Sequence, residues 1–191
     1  MRRKWLSVAS LLAATFVLVP GGPATGNERA HHPDVRIELV WESEADLDLH
    51  LLHPNGDWGD RQWDCHWISR NPNWGNRGRS DDDPLLEIDD IDGFGPEVIT
   101  LSHLETRKRV PASVTWSDIA PRTEYQVGVL NFFDPADGRT RATVRIWVRG
   151  LLAAELTTEF PGDLHFWTVA AIRYDGRQIT VVPIDEVAPL F

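Results

Sequence analysis

The sequence predicts an all-β chain, an antiparallel, jelly-roll-like β-sandwich of about nine or ten strands. Three observations predict it. Apolar and polar residues alternate with period two in segment after segment, as in 34–42, 46–52 and 140–148. Turn signals such as Asn55-Gly56 and Asp137-Gly138 separate these segments at close intervals. Helical periodicity is scarce beyond residue 26.

The chain opens with Arg2, Arg3 and Lys4, an apolar run from Leu11 to Val19, and small residues up to Gly26. That order reads as a secretory signal peptide over 1–26, with the mature chain starting near Asn27. The run is too short to span a bilayer stably; an uncleaved N-terminal anchor is the alternative. Residues 27–33 read as a flexible tail, 34–184 as one sandwich domain, and 185–191 as a C-terminal tail.

Within the domain, 34–42 places Val35, Ile37, Leu39 and Trp41 on one strand face. Segment 46–52 places Leu47, Leu49 and Leu51 on one face and Asp46, Asp48 and His50 on the other, which is expected to be wet. Residues 53–60 carry turn chemistry, 62–68 reads as a strand, and 69–84, rich in Asn, Gly, Asp and Pro, as a long loop. Short strands at 85–88 and 97–101 flank an acidic turn. Segment 123–133 aligns Tyr125, Val127, Val129 and Asn131. Strands follow at 140–148, 151–160, 163–175 and 178–184. The composition of 151–160 would equally suit a helical turn.

The formal net charge is −10; removing 1–26 takes away three positive charges and no negative ones, leaving −13. So acidic a surface argues against nucleic acid or anionic lipid as a direct partner and is consistent with binding cations, or with plain solubility. The single cysteine, Cys65, excludes an internal disulfide. It is expected to be a buried thiol, with pairing between chains as the alternative.

Acids are concentrated unusually. Residues 81–97 hold eight Asp or Glu and no Lys or Arg, and Asp is disfavoured in strands such as the one Asp46 and Asp48 begin. Calcium takes six to eight oxygen ligands in irregular geometry, which loops dense in Asp, Asn and Gly can supply. The candidate ligands are Asp46, Asp48, Asp83, Asp89, Asp90 and Asp92. Equally, these acids could be solvated residues that cap turns. An EF-hand is excluded: setting Gly93 as the loop glycine puts Ile88 at position one, and setting Gly95 there puts Leu101 at position twelve.

The order of ADLDLHLLHP (45–54), DCHW (64–67), NPNWG (71–75), DDPLLEIDDIDGFGPEVI (82–99), YQVGVLNFFD (125–134) and ATVRIWVRG (142–150) resembles a bacterial secreted β-sandwich family. That family carries a DLDLH strand and a GPE turn and is similar to the YfaP-type DUF2135 domain of unknown function. The resemblance spans about residues 35–155. It implies a jelly-roll-like module and a calcium site at Asp46, Asp48, Asp89, Asp90 and Asp92, and no nameable enzymatic activity. The chain departs from the pattern at 130–134, where a His near Val129 is expected, and at the insertion-like stretch 106–118.

Nine tryptophans are a high count. Trp41, Trp147 and Trp167 alternate into strand faces and are expected in the core. Trp58 and Trp74, beside glycines, could instead stack on sugar rings, which would make the chain a carbohydrate-binding module. His50, His53, His66 and His103 are possible zinc ligands, with surface or packing roles as the plainer reading. No GxSxG, HExxH or phosphate-binding glycine loop is present. The expectation is therefore a secreted or periplasmic, non-catalytic calcium module with a structural or adhesive role at the bacterial envelope, partnered by calcium and by polysaccharide or another envelope protein.

Overall fold

The computed structural model describes residues 32–76, 78–91, 93–105, 124–135 and 139–190. The expected signal peptide, most of the N-terminal tail and the stretch 106–118 lie outside the described residues. Among the described residues ten strands are formed: β1 (Val35–Trp41), β2 (Asp46–Leu52), β3 (Asp64–Cys65), β4 (Pro84–Ile88), β5 (Glu97–Leu101), β6 (Glu124–Phe133), β7 (Thr140–Val148), β8 (Leu151–Phe160), β9 (His165–Tyr174) and β10 (Ile179–Pro189). They make two five-stranded sheets, β4-β5-β1-β7-β8 and β10-β9-β6-β2-β3. Every pairing is antiparallel. The expected all-β sandwich is the fold observed.

The core lies between the sheets and follows the alternation read from the sequence. Val35, Ile37, Leu39 and Trp41 of β1 are buried, as are Leu47, Leu49 and Leu51 of β2, Val127 and Val129 of β6, and Val144 and Ile146 of β7. Each such side chain contributes about 1.5–3 kcal/mol by leaving water. Trp41 and Trp167 join this core. Trp147 does not: it is half-buried on the outer side, where the Arg36 guanidinium lies 4.9 Å from its ring centre.

Segment 151–160 is a strand throughout. The turn Arg149-Gly150 has positive φ at both positions, 50° and 80°, the two-residue hairpin turn whose twist matches the flanking strands. Arg149 is held there by its Nε, which donates to Asp34 Oδ1 at 2.8 Å.

Three expectations are corrected. The strand expected over 62–68 shrinks to Asp64–Cys65 plus one isolated bridge between His66 and Ser69. Residues 185–191 were expected to be a tail, yet β10 continues to Pro189, paired with His165. A register shift between Pro183 and Glu186 lets it do so, and β10 is an edge strand, where proline removes no needed donor. Finally, β2 is not wet on its polar face: Asp48 and His50 are both buried.

Candidate functional site

The site begins with an open strand edge. β3 pairs only with Leu51 and Leu52 of β2, so among the described residues the first half of that edge lacks a strand neighbour. Glu97, at the start of β5 in the opposite sheet, reaches into the gap, and its Oε2 accepts the Leu49 amide at 2.6 Å. The segment leading into β5 therefore crosses beside Asp46 and Asp48. Two glycines permit the crossing. A Cβ on Gly93, whose φ is 93°, would lie 2.6 Å from Glu44 Cα. One on Gly95 would lie 2.8 Å from the Trp41 ring. Backbone this close admits no side chain. The Phe94 amide then donates to Ser43 O at 2.9 Å. The β1–β2 turn is fixed in turn by Trp41 Nε1, which donates to Ala45 O at 2.7 Å.

This packing gathers four of the six aspartates expected in the site, and each is felt by another. Asp48 is 6% exposed. Burial pushes its carboxyl up to about 7, with the charges of Asp46 and Asp89 adding to the rise and nearby His50 partly offsetting it. No described residue donates a hydrogen bond to that carboxylate. Asp46 is raised by burial and then by Asp89 and Asp90. Asp89 is paired with Arg70 Nη1 at 3.2 Å, while its Oδ1 is buried without a partner. Asp90 Oδ1 accepts the Gly93 amide at 2.9 Å. Glu97, which sequence reasoning left out of the site, is the fifth carboxyl. It is 1% exposed, and burial, with Asp48 and Asp89 adding, pushes it up to about 9 against the pull of the Leu49 and Asp90 amides. The GPE turn was its only sequence signal.

Asp83 does not join this group. Its Oδ1 accepts the Trp74 amide at 2.7 Å, and the charges acting on it are those of Asp82, Asp81 and Glu105. Asp92 lies outside the described residues. The side chains of this group offer only hard oxygens, as calcium prefers. Among the described residues, however, no three His, Cys, Asp or Glu side chains already form a cage that could hold a metal ion. The fit is thus one of donor chemistry and orphaned charge, with the carboxylates standing apart.

A second polar group lies further along β2. His50 Nδ1 is 2.8 Å from Asp64 Oδ2, which also accepts the Gly59 amide at 2.7 Å. The His66 ring stacks on His50 with centres 4.9 Å apart. Burial, then His50, pushes His66 below the usual imidazole range. His50 Nε2, Asp64 Oδ1 and both His66 ring nitrogens are buried with no partner. His53 instead sits among Trp63, Trp74 and Tyr125 and accepts the Asn55 amide. His103 is exposed. Zinc ligation by these histidines has no cage among the described residues.

The tryptophans also divide. Trp74 is 1% exposed, with its Nε1 donating to Gln62 O at 2.8 Å, so it offers no face to a sugar. It anchors the loop from beneath. Trp58 is half-buried against His50 and Phe166. A Cβ on Gly128 would lie 3.0 Å from its ring. Cys65 is a free, buried thiol, as expected.

No protein-family model matches the chain, and no curated protein matches it. Among solved structures it is similar to the crystal structure of the unknown-function protein SAV2460. The two are 18% identical, with 81% of this chain and 88% of that chain covered at a TM-score of 0.42. No helix among the described residues is long and apolar enough to cross a membrane.

Proposed function

We propose that this protein is an exported, non-catalytic calcium module, with a structural or adhesive role at the bacterial envelope or exterior. The observation that carries the reading is Asp48. A carboxylate 6% exposed, with no hydrogen-bond donor among the described residues and with the charges of Asp46 and Asp89 acting on it, is costly unless a proton or a cation neutralises it. Calcium supplies the positive charge and accepts oxygen ligands in irregular number and geometry. The ligands would come from Asp46 and Asp48 on β2 and from Asp89 and Asp90 after β4. Glu97, committed to the Leu49 amide, holds the strand edge in place. A cation there would tie the two sheets together at one end.

Calorimetric titration of the purified protein with calcium tests this. Extracellular modules bind at about 10⁻⁴–10⁻³ M, and at ten times such a Kd the fold gains about 1.4 kcal/mol. The expected result is a saturable isotherm and a higher melting midpoint in calcium than in EDTA. An unresponsive midpoint together with a flat isotherm overturns the reading.

A further inference from the structure

The histidine cluster further along β2 has a property of its own. His66 is 3% exposed, and neither of its ring nitrogens has a hydrogen-bond partner. Its ring lies face to face with that of His50, with 11° between the planes. A charge on that ring would meet neither water nor a bonded acceptor, so the packing suits the neutral form. The titratable and charged groups acting on it are His50 from β2, Asp64 from β3 and Arg61 from the turn before β3. His50 and Arg61 oppose a positive ring; Asp64 favours one, but no hydrogen bond joins the two side chains. The segment that carries His66 is lightly fastened. β3 is two residues long and pairs only with Leu51 and Leu52. Beyond it the chain doubles back on itself: the Ser69 amide donates to His66 O at 2.9 Å, and the His66 amide to Ser69 O at 3.2 Å. Those two bonds are internal to the turn and move with it. Trp67 and Ile68, at its tip, are both exposed.

We propose that residues 64–69 form an acid-operated strap: protonation of His66 drives its ring out from beside His50 and lifts the strap from the end of β2. Lifting it unpairs the backbone of Leu51 and Leu52, so acid bares a sheet edge that is closed at neutral pH. In the open strap the ring is wet and titrates near the ordinary imidazole value of about 6.5. In the closed strap burial, then His50, sets it lower. Protons therefore favour the open form. The effect is absent well above pH about 6.5 and grows as pH falls toward the closed value. Its sign is opposite to that of Asp48 and Glu97, whose protonation steadies the fold. The strap works without calcium, so it stands apart from the calcium reading.

The test follows Cys65, the chain's single cysteine, which lies buried inside the strap. Its rate of reaction with a dithiodipyridine in EDTA, divided by the rate of the unfolded chain at the same pH, reads how often the strap is open. That ratio is expected to rise at least about threefold between about pH 7 and pH 5, and by no more than about tenfold per pH unit. Hydrogen-exchange protection of the β1 and β7 amides is expected not to fall over the same range. The rise levels off where the titration of the His66 ring, followed by proton NMR, is complete. His66→Phe keeps a flat ring beside His50 and has no proton to gain, so its ratio is expected not to rise in acid. A ratio that stays level in the parent overturns the strap, and so does a rise that His66→Phe retains. A His66 midpoint above that of free histidine shows that Asp64 captures the charged ring and also overturns it. If His66→Phe does not fold, the parent's two curves decide: a rise that levels off away from the His66 titration overturns the strap, and one that levels off with it supports the strap.

Discussion

Two aspartate-rich parts of this chain have the same composition and opposite circumstances. In the loop before β4 each acid has a donor, although Asp82 Oδ1 is buried with no partner. Asp82 Oδ2 accepts the Asn76 amide at 2.9 Å and its side-chain nitrogen at 3.2 Å, Asp83 Oδ1 accepts the Trp74 amide at 2.7 Å, and Asp81 is paired with Arg79. Beside β2, the charges of Asp89 and Asp90 act on Asp46 and those of Asp46 and Asp89 on Asp48, and Asp48 has no donor among the described residues. The first set is turn chemistry that builds a loop. The second is concentrated charge that the fold itself leaves unbalanced. Acid content alone does not separate a scaffold from a site; the supply of N–H groups does.

The sharpest way to break the comparison is to damage the scaffold side. Trp74→Ala removes a fully buried indole that packs on His53 and Tyr125. It is expected to cost about 3–5 kcal/mol, read by chemical denaturation, and to cost the same in calcium as in EDTA. A loss that appears only in calcium would place Trp74 in the site after all.

The next effect is in pH. Asp48 is raised from 3.8 to about 7 and Glu97 from 4.5 to about 9. A carboxyl raised by folding stabilises the fold fully below its unfolded value, and that contribution is lost as pH rises through the folded value. Without calcium, stability is therefore expected to fall between about pH 4 and pH 9, by on the order of a few kcal/mol. On the scaffold side the sign is mixed, since burial raises Asp83. Asp81 is lowered by its hydrogen bond to Arg79, so its contribution is present above the usual carboxylate range and lost in acid. Calcium competes with protons for Asp48, so the gap between melts in calcium and EDTA widens as pH rises. A stability maximum near pH 8 in EDTA would contradict the buried, unbalanced charge.

A smaller effect tests the loop acid that sequence reasoning placed in the site. Asp83→Ala leaves the Trp74 amide without its acceptor and is expected to cost about 1–3 kcal/mol. Its calcium isotherm is expected to match the parent's. A lost isotherm would return Asp83 to the ligand set.

Much of the fold was legible because period-two alternation reports one buried face, and β1 and β7 obey it throughout, β6 over most of its length. What stayed hidden depends on parts distant in sequence. The polar face of β2 reads as wet, but Trp58, His66 and Phe166 surround His50 there. Trp74 reads as a platform because it lies beside Gly75, yet its burial depends on Tyr125, far along the chain. Glu97 reads as a strand-start residue, and only the missing neighbour on the β2 edge makes it a cap. β10 was expected to end at 184, but it runs on past Pro183 to Pro189, which an edge strand tolerates. In the site, Asp46 and Asp48 were placed together by strand spacing alone. Their meeting with Asp89 and Asp90 needs the crossing that Gly93 and Gly95 allow.

The gentlest change bears most directly on the contrast between the two regions. Asp48→Asn keeps the shape of the side chain and removes the charge. In the loop such a change would weaken hydrogen bonds to backbone amides. At Asp48 no described donor is lost, and a buried, repelled charge is relieved. The variant is therefore expected to be more stable than the parent in EDTA at pH 7.5, by about 1 kcal/mol. It is also expected to lose the rise in melting midpoint that calcium gives the parent. Stabilised in EDTA and indifferent to calcium, it would trade one means of neutralising this position for another. Paired melts of parent and variant, in EDTA and in calcium, read both effects at once. If the variant keeps the full calcium shift, Asp48 is not a ligand. If it is destabilised in EDTA, the carboxylate has a favourable role in the fold that its burial and its acidic neighbours do not explain.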